Sequence, residues 1–364
     1  MDYKRYQRHF PVIGISGQHT LNHANVLIVG CGGIGSPVAL YLAASGIGHI
    51  GLVDFDRVEL SNLQRQILYR ESQIGQPKVM VAQKALCELN STICIKAYDL
   101  KLDESSALDL FKLYDLIIDG SDNFQTRYLI NDICCQLQKP FISASLLQKQ
   151  GQVALFNSID CCYRCLYPQA PPKDQIPNCA EAGVLGVTAG IIGTLSAQLA
   201  INYLLADNYD QAHSYLHLFN SDDVSWQKIQ FQGNPSCPGC KLKSYQPIET
   251  EHLTNQIDSI RETTTMFDDA IIIDVREPWE LTIEPLALET IDIPLNSLLN
   301  DPSVLTSLAD LKQKPIIIIC KAGIRSQTAC LYLQEHGFTN LYNFSGGIEY
   351  YQHQQYLGHK YAAG

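Results

Sequence analysis

The sequence predicts an α/β protein built in two parts, a doubly wound domain with an added β-rich segment and a smaller α/β domain after it. Short β-branched runs alternate with helical patterns between residues 26 and 145, which is typical of a largely parallel sheet covered by helices. From about residue 150 strands predominate around one long apolar helix, and a second alternating pattern begins near residue 255. A chain of 364 residues is also long for one hydrophobic core, so two domains are expected.

The first part contains the elements of a doubly wound sheet. The predicted strands are Val26–Gly30, His49–Asp54, Ile93–Tyr98, Asp115–Asp119 and Phe141–Ser145. The predicted helices are Gly35–Ser45, Pro77–Leu89, Glu104–Lys112 and Asn123–Leu137. Pro77 suits the first turn of a helix, because no partner is available there for the N–H that proline lacks.

The β-rich segment surrounds an uncharged stretch at residues 184–205. Its predicted strands are Gly151–Asn157, Tyr215–Asn220 and Ser225–Gln232. The stretch is long enough to span a bilayer of about 30 Å, but Gln198 and Asn202 lie within it and no Lys or Arg cluster flanks it. We therefore expect a buried core helix or a subunit-interface helix.

The last part repeats the strand–helix pattern on a smaller scale. Its predicted strands are Ala270–Val275, Pro315–Cys320 and Asn340–Phe344, and its clearest helix is Arg325–Gln334. The polar residues after Cys240 are expected to form the domain linker. The expected division is residues 1–243, a linker at 244–254, and residues 255–364.

The charge balance and the cysteine content limit the class of protein. The 26 Lys and Arg against 37 Asp and Glu give a net charge of −11, which argues against non-specific binding to nucleic acid or to anionic membranes. The 13 cysteines occur without a charged, apolar leader at the start of the sequence. This combination predicts a cytoplasmic protein whose reduced thiols bind metal and take part in catalysis.

A glycine-rich turn follows the first predicted strand. Gly30, Gly32 and Gly35 match the pattern G-x-G-x-x-G, with Gly33 inside it, and Asp54 ends the next strand. Such a Rossmann-like turn lets a phosphate approach the backbone at a helix N-terminus. On this motif alone NAD fits at least as well as ATP, and a packing turn without a ligand is an alternative.

The charged residues after this turn favour nucleotidyl transfer. A dehydrogenase does not need Arg65, Lys78 and Asp122 near its nucleotide, whereas a triphosphate requires fixed positive charge and a carboxylate that places Mg²⁺. The other polar residues of the predicted nucleotide site are Asp56, Asn62 and Asn123. Taken singly, any of these residues could be a surface charge or a helix cap.

Two Cys-x-x-Cys pairs predict a structural zinc site. Four thiolates from Cys162, Cys165, Cys237 and Cys240 would bind zinc tetrahedrally, while a redox pair would not need a second pair. The adjoining Cys161 is not expected to be a ligand. Five other cysteines are interpreted as packing residues: Cys31, Cys87, Cys94, Cys134 and Cys135.

A second reactive loop lies near the C-terminus. Cys320 ends an apolar strand, and Arg325 begins the next helix. We expect the backbone N–H groups of residues 321–326 and the helix N-terminus to surround the sulfur, which favours a thiolate or a persulfide. A buried cysteine at a strand end would not explain the Gly, Arg and Ser that follow it.

Residues 3–240 resemble the ThiF/MoeB/HesA family of adenylating enzymes. The matching stretches are residues 5–8, 26–37, 52–56, 60–68, 77–78, 122–123, 162–166 and 179–184. The resemblance implies that ATP adenylates the C-terminal glycine of a small ubiquitin-like sulfur-carrier protein ending in Gly-Gly. It also implies these roles: Asp54 on the ribose, Asn62, Arg65 and Lys78 on phosphates, Asp122 on Mg²⁺ and the attack, Arg8 as an arginine finger from the partner of a homodimer, and Cys179 as a thiol partner.

Residues 255–360 resemble a single rhodanese domain. The supporting motifs are the Cys320 loop and the run from Asp274 through Arg276 to Glu280, in which Asp274 and Arg276 are expected to brace the loop. Only four residues separate Cys320 from Arg325, one fewer than in the related dual-specificity phosphatases, which favours sulfur over phosphate. The resemblance implies a persulfide on Cys320 and a sulfur donor such as a cysteine desulfurase.

Together these motifs predict an adenylyltransferase that also transfers sulfur, leaving the carrier with a thiocarboxylate. The pathway stays open among thiamine synthesis, molybdopterin synthesis and tRNA thiolation. One alternative is a ubiquitin-type activator that forms a carrier thioester or acyl disulfide at Cys179. A nicotinamide oxidoreductase and a non-catalytic scaffold that binds the carrier are further alternatives.

Overall fold

The computed structural model describes residues 3–170, 183–206, 214–241, 260–267, 269–352 and 354. The chain divides into two compact units, Met1–Ile248 and Glu249–Gly364. The expected linker at 244–254 and the candidate thiol Cys179 lie outside the described residues.

An eight-stranded sheet forms the centre of the first unit. Its strands are β1 (Asn25–Val29), β2 (His49–Val53), β3 (Cys94–Tyr98), β4 (Leu116–Asp119), β5 (Phe141–Leu147), β6 (Gln150–Phe156), β7 (Ser214–Asn220) and β8 (Ser225–Phe231). They lie in the order β3-β2-β1-β4-β5-β6-β7-β8. The first five are parallel, and β5 to β8 pair antiparallel. This confirms the predicted doubly wound sheet with its β-rich extension.

Seven helices are described in this unit. They are α1 (Phe10–His23), α2 (Gly35–Ser45), α3 (Lys78–Leu89), α4 (Glu104–Phe111), α5 (Phe124–Leu137), α6 (Tyr163–Leu166) and α7 (Gly186–Leu205). The sequence patterns missed α1 and α6. Helix α1 is irregular, because Gly14 interrupts it with a φ of +69°. Helix α6 is a single turn, which is too short to produce a helical pattern in the sequence.

Both faces of the sheet are buried, and alternate residues of β1 show this directly. Val26 and Ile28 belong to one core cluster, while Leu27 and Val29 belong to the other. Because successive side chains of a strand point to opposite faces, a strand that is apolar at every position must be covered on both sides. The short apolar runs of the sequence therefore reflect helices on each face.

Helix α7 packs several apolar residues into the first of these clusters. Ala189, Ile192 and Ala197 are buried there, while Val187 is exposed. The helix has 20 residues and a mean hydropathy of 1.3, so length and composition alone would allow it to cross a membrane. Core helices of soluble proteins meet the same criteria, so this observation is weak evidence of a membrane span.

The second unit contains a five-stranded parallel sheet. Its strands are β9 (Arg261–Thr263), β10 (Ile271–Asp274), β11 (Ile291–Asp292), β12 (Ile316–Ile319) and β13 (Leu341–Phe344), in the order β11-β10-β12-β13-β9. Its helices are α8 (Pro278–Ile283), α9 (Leu295–Asn300), α10 (Pro302–Ser307) and α11 (Ile324–Glu335), with helical residues again at 347–352. Central β12 is buried at all four positions. Its carboxyl end leads directly to Cys320.

Candidate active sites

The glycine turn brings the ends of β1 and β4 together. Gly30 has a φ of +89°, and a Cβ there would lie 2.7 Å from the carbonyl oxygen of Gly120. A Cβ on Gly35 would run into the carbonyl of Gly30. A side chain at either position would force these loops apart, so the glycines permit a compact turn at the start of α2.

Asp54 and Lys78 lie at the edge of this turn. The Asp54 carboxylate accepts hydrogen bonds from the backbone N–H of Cys31 at 2.7 Å and of Asp56 at 2.8 Å. Burial raises the pKa of Asp54, and the nearby Lys78 charge opposes that shift. Lys78 is almost buried, and its Nζ lies 2.8 Å from Oδ2 of Asp56. The fold thus places a carboxylate and a cation beside the turn.

Arg65 and Gln66 cover the middle of the glycine turn. A Cβ on Gly33 would lie 3.3 Å from Cγ of Arg65, and a Cβ on Gly32 would lie 3.8 Å from Nε2 of Gln66. Gln66 is only 3% exposed, and its Oε1 is buried without a hydrogen-bond partner. The sequence motifs gave no role to Gln66. Only its burial and its unpaired oxygen identify it as a candidate binding residue.

Asn62 stabilises the loop that carries Arg65. Its Oδ1 accepts a hydrogen bond from the backbone N–H of Glu59 at 3.2 Å, and the residue is 6% exposed. The Arg65 guanidinium donates to the carbonyl of Ser61 at 2.9 Å. Both side chains therefore lie on a loop that packs over the glycines, as their proximity in the sequence indicated.

A network of buried hydrogen bonds fixes the loop that carries Asp122. Asp119 ends β4 with no exposed surface and accepts from the N–H of Ser121 at 3.0 Å, from Nε of Arg127 at 3.2 Å and from Oγ of Ser143 at 3.0 Å. Arg127 also donates to the carbonyl of Ser121 at 3.0 Å. Asp122 itself is exposed at the tip of this loop. The motif analysis missed Asp119 and Arg127.

Asn123 and Arg8 are both exposed, but they lie in different elements of the first unit. Asn123 accepts a hydrogen bond from the N–H of Thr126 at 2.8 Å and caps α5. Arg8 is exposed in the turn that precedes α1. That turn is anchored by Tyr6, which is 1% exposed and accepts a hydrogen bond from Nδ2 of Asn90 at 2.8 Å.

The four predicted zinc ligands form one cluster. The Sγ atoms of Cys162, Cys165, Cys237 and Cys240 lie within 4.8 Å of one another. Three of these separations are 4.0, 3.5 and 3.6 Å. Zinc–sulfur bonds of about 2.3 Å in a tetrahedron require sulfurs about 3.8 Å apart. The donor set therefore fits zinc, and the neighbouring Cys161 is not part of the cluster.

The cluster is tied to α5, the helix that begins after Asp122. Arg164 pairs with Asp132 through two hydrogen bonds of 2.7 Å, and both side chains are buried. Asn131 accepts a hydrogen bond from the N–H of Tyr163 at 2.8 Å. The segment with the first Cys pair and the Asp122 loop thus share one rigid support.

The remaining cysteines only partly match their interpretation as packing residues. Cys31, Cys134 and Cys135 are buried. Cys87 and Cys94 are exposed, so for these two the interpretation was wrong. The error arises because a helix or strand position does not reveal which face meets solvent when neighbouring residues are of mixed polarity.

Cys320 lies at the bottom of the second loop and is 1% exposed. Its Sγ accepts hydrogen bonds from the N–H of Gly323 at 3.1 Å and from Oγ of Ser326 at 3.3 Å. The N–H of Ile348 donates to the carbonyl of Cys320 at 2.8 Å, and the N–H of Glu349 donates to that of Lys321 at 3.2 Å. Donors thus face the sulfur, as expected for a site that stabilises a thiolate or persulfide.

Arg325 forms an ion pair with Glu280. Its guanidinium donates to both carboxylate oxygens of Glu280, at 2.6 and 2.7 Å. Next to this pair, Arg276 binds Asp274 at 2.7 Å and donates to the carbonyl of Glu284 at 2.9 Å. Asp274 and Arg276 are fully buried, consistent with a bracing role, whereas the motif analysis gave no role to Glu280.

Two family patterns match the chain. The ThiF family matches residues 3–239, and the rhodanese-like domain matches residues 259–354. The first range contains the glycine turn and three of the four clustered cysteines, and ends just before the fourth, Cys240. The second range contains the Cys320 loop.

Relatives of known name match from two thirds to nearly all of the chain. A "Sulfur carrier protein adenylyltransferase" of Thermus thermophilus is 43% identical over 65% of this chain and 90% of its own length. "Adenylyltransferase and sulfurtransferase MOCS3" of Xenopus laevis is 38% identical over 92% of this chain and 82% of its own. "Probable adenylyltransferase/sulfurtransferase MoeZ" of Mycobacterium tuberculosis is 34% identical over 94% of this chain and 91% of its own length.

Solved structures resemble about two thirds of the chain. Escherichia coli MccB with AMPCPP and MccA has a TM-score of 0.57 at 25% identity, covering 66% of this chain and 74% of that one. MccB with ATP has a TM-score of 0.56 at 25% identity, covering 65% of this chain and 74% of that one. From the sequence matches, which extend over most of its length, this chain belongs to the ThiF family and carries a rhodanese-like domain at its C-terminal end.

Proposed function

We propose that this chain adenylates the C-terminal glycine of a small ubiquitin-like sulfur-carrier protein and then converts that glycine to a thiocarboxylate. The observation that carries the proposal is the meeting of the glycine turn, Arg65 and the Asp122 loop at the carboxyl ends of β1 and β4. Ligands of doubly wound sheets bind at this position. The relatives named adenylyltransferase and sulfurtransferase support both halves of the reaction.

In the adenylation step the carrier carboxylate attacks the α-phosphorus of ATP, the bond to the bridging oxygen breaks, and pyrophosphate leaves. Asp54 accepts hydrogen bonds from the ribose, because its two oxygens retain free lone pairs beside the turn. Arg65 and Lys78 offset the phosphate charge, with Asn62 as a further polar contact. Asp122 would hold Mg²⁺, which neutralises charge on the phosphates.

Arg8 is proposed to reach the triphosphate from a second copy of the chain, which makes a homodimer the functional unit. Its side chain is exposed on a turn that Tyr6 anchors, and this arrangement suits a residue presented to a neighbour. Removing it should lower exchange activity, and mixing with an Asp122 variant should restore part of that activity.

In the transfer step the Cys320 thiolate attacks the terminal sulfur of a donor persulfide, such as that of a cysteine desulfurase, and the donor thiolate leaves. The terminal sulfur of the new persulfide attacks the acyl carbon, and AMP leaves. A second thiol, Cys179 or an external reductant, attacks the Cys320 sulfur, so that the thiocarboxylate departs and a disulfide remains. Two electrons from a thiol reductant then restore the free Cys320.

Zinc in the four-cysteine cluster would be structural, because four protein ligands leave no open position for a substrate. The free thiols that this chemistry needs favour a reducing, cytoplasmic location. We propose a protein partner, with neither nucleic acid nor a membrane as substrate.

The test is carrier-dependent exchange of labelled pyrophosphate into ATP, with thiamine-type and molybdopterin-type carriers ending in Gly-Gly. Exchange with one carrier, lost in Asp122→Asn and retained in the exposed control Asp109→Asn, would establish adenylation and indicate the pathway. Thiocarboxylate formation that also requires Cys320 would establish transfer. If folded, zinc-containing protein binds ATP but shows no exchange with either carrier, the proposal that the chain adenylates such a carrier is wrong.

A further inference from the structure

We propose that Glu280 is a specificity-determining residue of the Cys320 loop, because its carboxylate holds the partly buried Arg325 in a neutral pair and so keeps this cation from attracting anions. This inference rests on the sulfur transfer proposed above. It predicts that the loop discriminates against anionic reagents, and that this discrimination depends on one carboxylate from α8.

The geometry of the pair supports this role. Both guanidinium nitrogens of Arg325 that face Glu280 donate to separate carboxylate oxygens, at 2.6 and 2.7 Å. The side chains are 14% and 9% exposed, so little water screens them. Two-point pairs of this kind fix the orientation of both groups and largely cancel their charges. The pair joins α8 to the first turn of α11.

Glu280 is itself held in place by its own helix. Its Oε2 accepts a hydrogen bond from the N–H of Glu277 at 2.9 Å, where it forms the capping box of α8. The N–H of Glu280 donates to the carbonyl of Glu277 at 2.9 Å. Because the carboxylate is held in place, the Arg325 guanidinium would have to break both of its hydrogen bonds to Glu280 before it could turn toward a ligand. We therefore expect Arg325 to stay with Glu280.

The donors that contact Cys320 in the structure are uncharged. They are the N–H of Gly323 and the hydroxyl of Ser326. The other basic side chain of the loop, Lys321, is 46% exposed and lies 3.8 Å from Glu349, so solvent weakens its field. Neutral dipoles suffice for one sulfur-centred charge but give a larger anion no strong attraction.

The experiment compares how fast two reagents alkylate Cys320 in the full-length protein. Iodoacetate carries a negative charge and iodoacetamide is neutral, and in both the thiolate displaces iodide from carbon. Mass spectrometry of the Cys320 peptide separates this reaction from that of the exposed Cys87 and Cys94. The readout is the ratio of the two rate constants, which a general loss of reactivity would not change.

In Glu280→Gln the site loses one negative charge beside Arg325, which should raise the iodoacetate-to-iodoacetamide ratio about fivefold or more, as expected for a change of one charge in a partly buried site. Glu280→Asp keeps the charge and should retain the wild-type ratio. Glu335→Gln removes an exposed charge at the far end of α11 and should leave the ratio unchanged.

Arg325→Gln gives the opposite sign, because Glu280 is then unpaired and should lower the ratio below that of the wild type. This variant keeps the inference testable even if Glu280→Gln fails to fold, which circular dichroism would reveal. Ratios within twofold of the wild type in both variants, with Cys320 still reactive, would overturn it. Alkylation needs no carrier and no sulfur donor, so failure of the proposed function would show separately as absent thiocarboxylate.

Discussion

Arg127 and Asp119 form a buried ion pair at the base of the loop that carries Asp122, with 3.2 Å between Nε and Oδ2. Their side chains are 7% and 0% exposed. Ser121 is bound from both sides, since its N–H donates to Asp119 and its carbonyl accepts from Arg127. The exposed Asp122 therefore projects from a rigid support.

Removing one partner of this pair should strongly destabilise the first unit. Asp119→Asn leaves the Arg127 charge buried without compensation, and the free energy of unfolding should fall by about 3–5 kcal/mol. The measurement is urea unfolding followed by circular dichroism. The matched control is Asp222→Asn, since Asp222 pairs with Lys149 at 2.7 Å on the surface. That change should stay within about 1 kcal/mol, and equal losses in the two variants would contradict this account.

Gln66 should contribute to ATP binding. Its buried carboxamide lies over Gly32 with an unpaired oxygen, so Gln66→Leu keeps the shape and removes the polar group. We expect about tenfold weaker binding, the loss typical of a hydrogen bond to a charged ligand. Calorimetry with a non-hydrolysable ATP analogue measures it. Gln64→Leu, at an exposed position of the same loop, should bind normally. Equal affinities for the two variants would show that Gln66 has only a packing role.

The four-cysteine cluster should hold one zinc ion per chain. Cys162→Ser removes one of four ligands and should lower both the zinc content and the melting temperature, because metal binding contributes to folding. Elemental analysis and thermal melts provide the two readouts. Cys161→Ser changes the adjacent cysteine, which lies outside the cluster, and should retain the metal. Retention of zinc by both variants would contradict the assignment.

The Glu280–Arg325 pair should make the stability of the second unit depend on pH at the acid end. Burial opposes ionisation of Glu280, but hydrogen bonds from Arg325 and from the N–H of Glu277 outweigh it and lower the pKa below its usual value. A carboxyl whose pKa is lower in the folded state stabilises fully above its unfolded pKa of about 4.3. That stabilisation is lost as the pH falls through the folded pKa.

The advantage of the wild type over Glu280→Gln should accordingly be constant above about pH 5 and shrink toward pH 3. Trp279 neighbours Glu280 and reports on this unit by fluorescence if the other of the two tryptophans, Trp226, is replaced by Phe. An advantage that persists undiminished at pH 3 would mean that the ion pair does not account for it.

Local sequence patterns were sufficient for the elements that follow hydrophobic periodicity. The predicted strand Val26–Gly30 and the observed β1 (Asn25–Val29) differ by one residue at each end, and the helix Gly35–Ser45 has the same bounds in both. Helix α1 was missed, because Gly14 and Gly17 lower its intrinsic preference and its packing against α7 compensates only in the folded chain.

The motif-bearing residues could be identified from local patterns, because the chemistry of glycine turns, Cys-x-x-Cys pairs and a cysteine at a strand end depends on residue type and spacing. Which groups surround these residues depends on the fold. Glu280 is 45 positions from Arg325, and the two Cys pairs are 75 positions apart, separations over which no periodicity carries information. Glu280 and Arg325 meet because they follow β10 and β12, parallel neighbours that end at the same edge of their sheet, where buried charges must find partners. The two Cys pairs follow β6 and β8, which run in the same direction on either side of the antiparallel β7.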